Sequence, residues 1–145
     1  MRLAWRLTVR VMDTQRSETL SIVAAEDVVR VRQKVREWAV ALGFSLVEQT
    51  KLVTAASELA RNTFTYGGGG SARLEVVGNS VNLGLRLTFA DQGPGIADVE
   101  LALKDGYSTG SGLGMGLGGS RRLVNEFEIE SRLGKGTRVT VTKWK

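Results

Sequence analysis

Residues 91–119 read D-Q-G-P-G-I-A-D-V-E-L-A-L-K-D-G-Y-S-T-G-S-G-L-G-M-G-L-G-G, and nine of the chain's 18 glycines fall in this stretch. Glycine loses more backbone freedom on folding than any other residue. A packed core or a helix gains nothing from so many. A backbone that passes close to a ligand, or turns with positive φ, does gain. The stretch also follows the most sheet-like run in the chain, residues 81–90. An acidic residue at a strand end, followed by glycines, marks a place for a nucleotide or phosphate.

Upstream of Asp91, Leu83, Leu85, Leu87 and Phe89 alternate with Gly84, Arg86, Thr88 and Ala90, the pattern of a half-buried antiparallel strand. Gly78, Asn79 and Ser80 form a turn that joins it to a strand over 71–77. Before that strand, the spacing predicts a helix over 46–64. Leu52, Ala56, Leu59, Ala60 and Phe64 share one face, and Lys51, Thr54, Glu58, Asn62 and Thr65 form a narrow stripe on the other. Ser45 and Glu48 have capping-box spacing at its start. The four glycines 67–70 end it and are expected to give the next turn great freedom. Further upstream, an edge strand over 19–23 leads to a helix that runs to about Leu42, with Asp27 as its expected cap and Gly43 as its stop. Its apolar face is Val28, Val31, Val35, Trp38 and Ala39, with Trp38 read as core. In residues 1–18, Leu3, Trp5, Leu7 and Val9 alternate with polar or small residues, which suits an N-terminal arm with a short strand.

Downstream of Asp91, Ile96 to Lys104 is expected to be a short helix with Asp98 as its cap, and Tyr107 to Gly112 a loop. A helix is expected from Leu113 or Met115 to about Glu126, with Leu117, Leu123, Val124 and Phe127 on its buried side. A last hairpin pairs 128–133 with 137–144 through Gly134, Lys135 and Gly136. The expected fold is an α/β two-layer sandwich of the α+β class. A mixed, mostly antiparallel sheet has helices packed on one face, in a single domain over residues 19–145. The glycines follow neither the dinucleotide fingerprint nor a Walker A sequence.

Composition narrows the chemistry. The chain has 145 residues, 42% of them apolar, which is enough for one core. Without cysteine or histidine, disulfides, thiolate catalysis and histidine general-base schemes are excluded, and zinc would have only carboxylates. The net charge is +5, of which residues 1–17 carry +3 through Arg2, Arg6, Arg10 and Arg16 against Asp13. No dense basic stripe with interleaved aromatics follows, so nucleic acid is not an expected partner. No run approaches 18 apolar residues, so no membrane span is expected and the expected location is the cytoplasm.

The residues that can do chemistry fall into three groups. Glu58 and Asn62 lie one turn apart. A helix-borne carboxylate can take a proton from a hydroxyl, and an amide offers the hard oxygen that Mg²⁺ accepts while substrate phosphates supply others. The competing reading is a solvated helix face. Asp91 can accept a hydrogen bond from an exocyclic amine, with Gly93 and Gly95 letting a ring approach the backbone; the competing reading is an Asx-type turn. Gly112, Gly114 and Gly116 lead into a helix N-terminus, where free N–H groups would face phosphates, against a glycine loop with no ligand. Lys104, Arg61 and Arg121 are candidate phosphate partners or surface charges.

Together these motifs resemble the GHKL ATPase/kinase superfamily with its Bergerat ATP-binding fold. The resemblance rests on S-E-L-A-R-N at 57–62, D-Q-G-P-G at 91–95, G-L-G-M-G at 112–116 and G-K-G-T at 134–137, in that order. Within the superfamily, S-E-L-A-R-N, residues 105–119 and G-K-G-T-R-V-T-V-T-K-W at 134–144 resemble the RsbT-type switch serine/threonine kinases of bacterial stress signalling. The resemblance implies ATP and Mg²⁺ as cofactors, Glu58 as catalytic base and Asn62 as Mg²⁺ ligand. It implies Asp91 on the adenine amine, Gly93, Gly95 and Thr137 beside the base, and Gly112, Leu113, Gly114, Met115 and Gly116 around the phosphates. It also implies partners: STAS-domain antagonist proteins as phosphate acceptors and a PP2C-type phosphatase activated by binding. The alternatives are an anti-sigma factor kinase that binds a sigma factor, and a module that uses nucleotide without turnover. Residues 1–18 exceed the family's usual start.

Overall fold

The computed structural model describes residues 16–78, 81–104 and 116–145. Five strands, β1 (Ser17–Ile22), β2 (Gly70–Gly78), β3 (Leu83–Asp91), β4 (Glu126–Arg132) and β5 (Gly136–Trp144), form one sheet in the order β1-β2-β3-β5-β4. All four described pairings are antiparallel. Two long helices, α1 (Ala25–Ala41) and α2 (Leu46–Thr65), form the second layer with two short ones, α3 (Val99–Ala102) and α4 (Gly116–Arg121).

Alternation along the strands decides which face is covered. Ala72, Leu74 and Val76 of β2, Leu85, Leu87 and Phe89 of β3, and Val139 and Val141 of β5 are buried. They meet Val31 and Val35 of α1 and Leu52, Ala56, Leu59 and Ala60 of α2 in one apolar cluster. Trp38 joins that cluster at 4% exposure, as expected of a core residue, with the Arg16 guanidinium stacked 4.2 Å from its ring centroid. Truncating a side chain such as Leu87 here costs about 2–5 kcal/mol. The opposite face of the sheet carries Arg73, Arg86, Thr88, Glu128 and Arg138 and has no described helix over it.

The helix ends follow local chemistry. Ser45 caps α2 by accepting from the Glu48 N–H at 3.2 Å. The α1 start differs from expectation. Its cap position is Ala24, and Asp27 lies inside the first turn, reaching back to accept from the N–H groups of Val23 (2.9 Å) and Ala24 (3.0 Å). Alanine has no acceptor, so Asp27 satisfies these donors from within, as the second residue of a capping box does. Those backbone bonds, led by Val23, hold its carboxyl below the usual aspartate value despite burial. Asp98 caps α3 through the Leu101 N–H at 3.0 Å, so that helix begins at Val99 rather than Ile96.

The largest departure is after α4. That helix ends at Arg121 instead of near Glu126, and β4 begins at Glu126. Phe127 therefore lies in a strand, opposite Val141, and not on a helix face. Phe127, Ile129 and Ser131 point inward between Glu126, Glu128 and Glu130, so a period of two overrides the helical spacing of Leu117, Val124 and Phe127. Of the expected arm over 1–18, residues 1–15 lie outside the described residues, as do most of the turn at 78–80 and the loop over 107–112, while Ser17 and Glu18 belong to β1, which begins two residues before the expected start at Thr19.

Candidate nucleotide site

The ends of β3, β5 and α2 meet at one edge of the molecule. Asp91 is the last residue of β3 and pairs with Thr137 at the start of β5. Its Oδ1 accepts from the N–H groups of Gly93 (2.9 Å) and Thr137 (3.2 Å). Oδ2 has no bonded partner among the described residues. The D-Q-G-P-G loop is clamped from the β4–β5 hairpin. The Gly134 N–H donates to the Pro94 carbonyl at 2.8 Å, and the Ile96 N–H donates to Ser131 Oγ at 2.8 Å. Ser131 Oγ also lies 2.8 Å from Thr137 Oγ1. Gly95 turns with φ +77° against the Arg132 carbonyl, where any side chain would collide.

Of the glycines 67–70, all but Gly68 are tightly placed rather than free. A Cβ on Gly67 would stand 2.4 Å from the Asp91 carboxyl carbon, and one on Gly70 would meet the Ala90 carbonyl at 2.0 Å. The backbone leaving α2 thus lies directly against the Asp91 side chain. Sequence spacing alone did not flag this contact, since it joins segments 24 residues apart.

Between these elements lies a cleft of about 490 Å³. Asn62, Asp91, Gly95, Gly116 and Thr137 line it, with apolar walls from Leu59, Phe89, Ile96, Leu101 and Val139. The volume suits a nucleotide-sized ligand. Of the two aspartates that line it, Asp98 caps α3 through the Leu101 N–H and Asp91 keeps Oδ2 without a bonded partner among the described residues; an apolar slot with that acceptor fits a flat heterocycle that bears an exocyclic amine. Asn62 lines the same cleft, and its side-chain amide has no bonded partner among the described residues. A partner-free amide oxygen is a donor that Mg²⁺ accepts beside phosphate oxygens. No cluster of three or more carboxylates that could hold a metal by itself occurs among the described residues.

Glu58 does not line the cleft. It lies one turn before Asn62 on α2, with a side chain 14% exposed, and its Oε1 accepts from Arg61 Nη1 at 2.8 Å. Arg61, a candidate phosphate partner by sequence, is therefore paired with the expected base. Gly93 packs on the Gly67 backbone and serves the cleft through Asp91. Gly112, Leu113, Gly114 and Met115 lie outside the described residues. Ser131 and Gly67 are contributors that sequence reasoning missed. Ser131's sign was its place in the inward alternation of β4.

This arrangement defines a GHKL-type nucleotide-binding domain, and comparison with known proteins agrees. Residues 47–145 match the family of histidine kinase-, DNA gyrase B- and HSP90-like ATPases. The chain is 44% identical over 123 residues to the serine/threonine-protein kinase RsbT of Bacillus subtilis (strain 168), covering 85% of this chain and 92% of that protein. It is 30% identical over 121 residues to the anti-sigma F factor of Thermoanaerobacter sp. (strain X514), covering 78% and 82%. Among solved structures, the RsbU and RsbW domains of Rv1364c from Mycobacterium tuberculosis share the fold at a TM-score of 0.63 and 19% identity. That match covers 90% of this chain, which spans about a third (33%) of the other. The chain belongs to the GHKL ATPase superfamily and, within it, to the RsbT-type kinase family. Among the described residues no helix is long and apolar enough to cross a membrane.

Proposed function

We propose that this chain is a Mg²⁺-ATP-dependent protein serine/threonine kinase of a bacterial partner switch, phosphorylating STAS-domain antagonist proteins and activating a PP2C-type phosphatase by binding. The observation that carries the reading is the shared cleft. Asp91 lines it with Oδ2 unpartnered among the described residues, Asn62 lines it too, and Glu58 lies one helical turn before Asn62, outside the lining.

Asp91 holds the adenine by its exocyclic amine, with Thr137 and Gly95 beside the ring. Asn62 supplies an amide oxygen to Mg²⁺, which when bound neutralises charge on the phosphates. By the family motif, Gly112, Leu113, Gly114, Met115 and Gly116 would be the residues that supply N–H groups to the phosphates. Glu58 takes the proton of the acceptor hydroxyl as its oxygen bonds to the γ-phosphorus, and ADP leaves with the electron pair of the broken bond.

The test is radiolabelled transfer from Mg²⁺-ATP to STAS-domain proteins encoded near this gene, with E58Q beside the wild type. E58Q should lose about 10²–10⁴-fold in transfer rate while binding nucleotide as before. Transfer by E58Q at the wild-type rate sinks the base assignment. A second reading, an anti-sigma factor kinase, draws on the 30% identity to an anti-sigma F factor. A stable complex with a sigma factor, and no transfer to any STAS-domain protein, would favour it.

A further inference from the structure

Glu58, Arg61 and Asn62 leave α2 within one turn, and their order around the helix matters. With about 100° per residue, Arg61 emerges about 60° to one side of Glu58 and Asn62 about 40° to the other. The Glu58 carboxylate is bonded to Arg61 at 2.8 Å, so it is turned toward the flank away from Asn62. Asn62, and not Glu58, lines the cleft. A base that serves a hydroxyl aligned with the γ-phosphate must reach toward the Asn62 side. The ion pair therefore holds the carboxylate in a non-reacting position.

The two partners are unequally accessible. The Arg61 side chain is 45% exposed and that of Glu58 14%. Anything that approaches this face of α2 meets the guanidinium first. Glu58 holds the guanidinium by a single Nη1–Oε1 bond, and the group best able to take it away is another carboxylate that engages its fork through two bonds. We propose that Arg61 is a specificity-determining residue that latches Glu58 away from the cleft and releases it to an acceptor segment whose phosphorylatable hydroxyl is flanked by a carboxylate. This rests on the reading of Glu58 as the base.

The latch separates from that reading in steady-state ATP hydrolysis, with water as the acceptor. Water's proton passes to Glu58, its oxygen bonds to the γ-phosphorus, and ADP and phosphate leave. R61A should raise kcat by about two- to fivefold, what the loss of one exposed ion pair can release, with KM for ATP unchanged. R61K should fall between R61A and the wild type. The R61A/E58Q double variant should fall to the E58Q level, because an effect that runs through Glu58 disappears with it. A hexa-aspartate peptide should stimulate the wild type and leave R61A unaffected, with hexa-serine as the control. Circular dichroism and ADP affinity of R61A matching the wild type exclude a folding effect.

An R61A rate no higher than the wild type overturns the latch. Stimulation of R61A equal to that of the wild type, or of neither, overturns the acidic acceptor. If E58Q hydrolyses ATP at the wild-type rate, the base reading fails, and the latch, which acts only through Glu58, is overturned with it.

Discussion

The two ends of the proposed site, one at the cleft floor and one beside the cleft on α2, are built to different standards. At the Asp91 end, a carboxylate oxygen accepts two backbone N–H groups, Gly67 lies against the same side chain, and the Gly134 and Ser131 contacts clamp the loop that follows. Three chain segments, from α2, β3 and the β4–β5 hairpin, are interlocked there. At the Glu58 end, one helix supplies both residues, and a single i,i+3 ion pair sets the carboxylate's direction. An exposed pair of that kind is worth about 0–1 kcal/mol. The contrast teaches a division of labour. On the proposed reading, the end that recognises a base must keep one shape to discriminate, and the end that moves a proton must be able to change its shape when an acceptor arrives.

Substitutions can break this contrast. The largest loss of nucleotide affinity is expected for D91A, which removes the amine acceptor and strands the Gly93 and Thr137 N–H donors. Titration calorimetry with ADP should show a loss of about 100-fold or more, on the order of 3 kcal/mol. An affinity within a few-fold of wild type would mean that the adenine end is not where we place it. E58Q is the mirror image, with turnover lost and affinity kept.

G67A should come next. Gly67 lines the cleft beside Asp91, and a methyl there would overlap the Asp91 carboxylate, so ADP affinity should fall about tenfold through displacement of Asp91. An unchanged affinity would show the floor to be more adaptable than the packing suggests.

The smallest effect belongs far from the cleft. Glu48 accepts from Lys143 at 2.7 Å, and this bond, ahead of the opposing burial, holds its carboxyl below the ordinary glutamate value of 4.5. A depressed folded-state pKa gives stability that is present above that ordinary value and is lost as pH falls through the folded one. E48Q should therefore lower Tm by a few degrees at pH 7, about 1 kcal/mol, with the gap to wild type closing as pH drops below about 4. A gap that persists in acid would trace the loss to packing rather than charge.

Much of this was legible in the sequence because it was local. The Ser45 cap, the apolar stripe of α2 and the alternation of β3 each declare themselves within a few residues. The motifs also singled out Asn62, Asp91, Gly95, Gly116 and Thr137, and the cleft brings these five side by side. What stayed hidden was long-range or ambiguous. Nothing near Gly67 announces that Asp91 will lie against it. Nothing near Ser131 announces the bond from Ile96 across 35 residues. Phe127 sat within reach of two periods, and only the pairing of β4 with β5 decides between them. Arg61 looked like a free cation because helix spacing says which side chains can meet, not which of the available partners a guanidinium takes.

Lys143 has a use outside folding and catalysis. Its ammonium is enclosed, with a side chain 6% exposed against 46% for Lys51 and 30% for Lys34, and it is bonded to Glu48. Acylating reagents attack free, unprotonated amines, so Lys143 should be the last of the chain's lysines to react. Its labelling rate, read peptide by peptide in a mass spectrometer, then reports how often the sheet and α2 part company. The protein carries an internal clock for its own opening, one that needs no engineered label and that a bound nucleotide should slow.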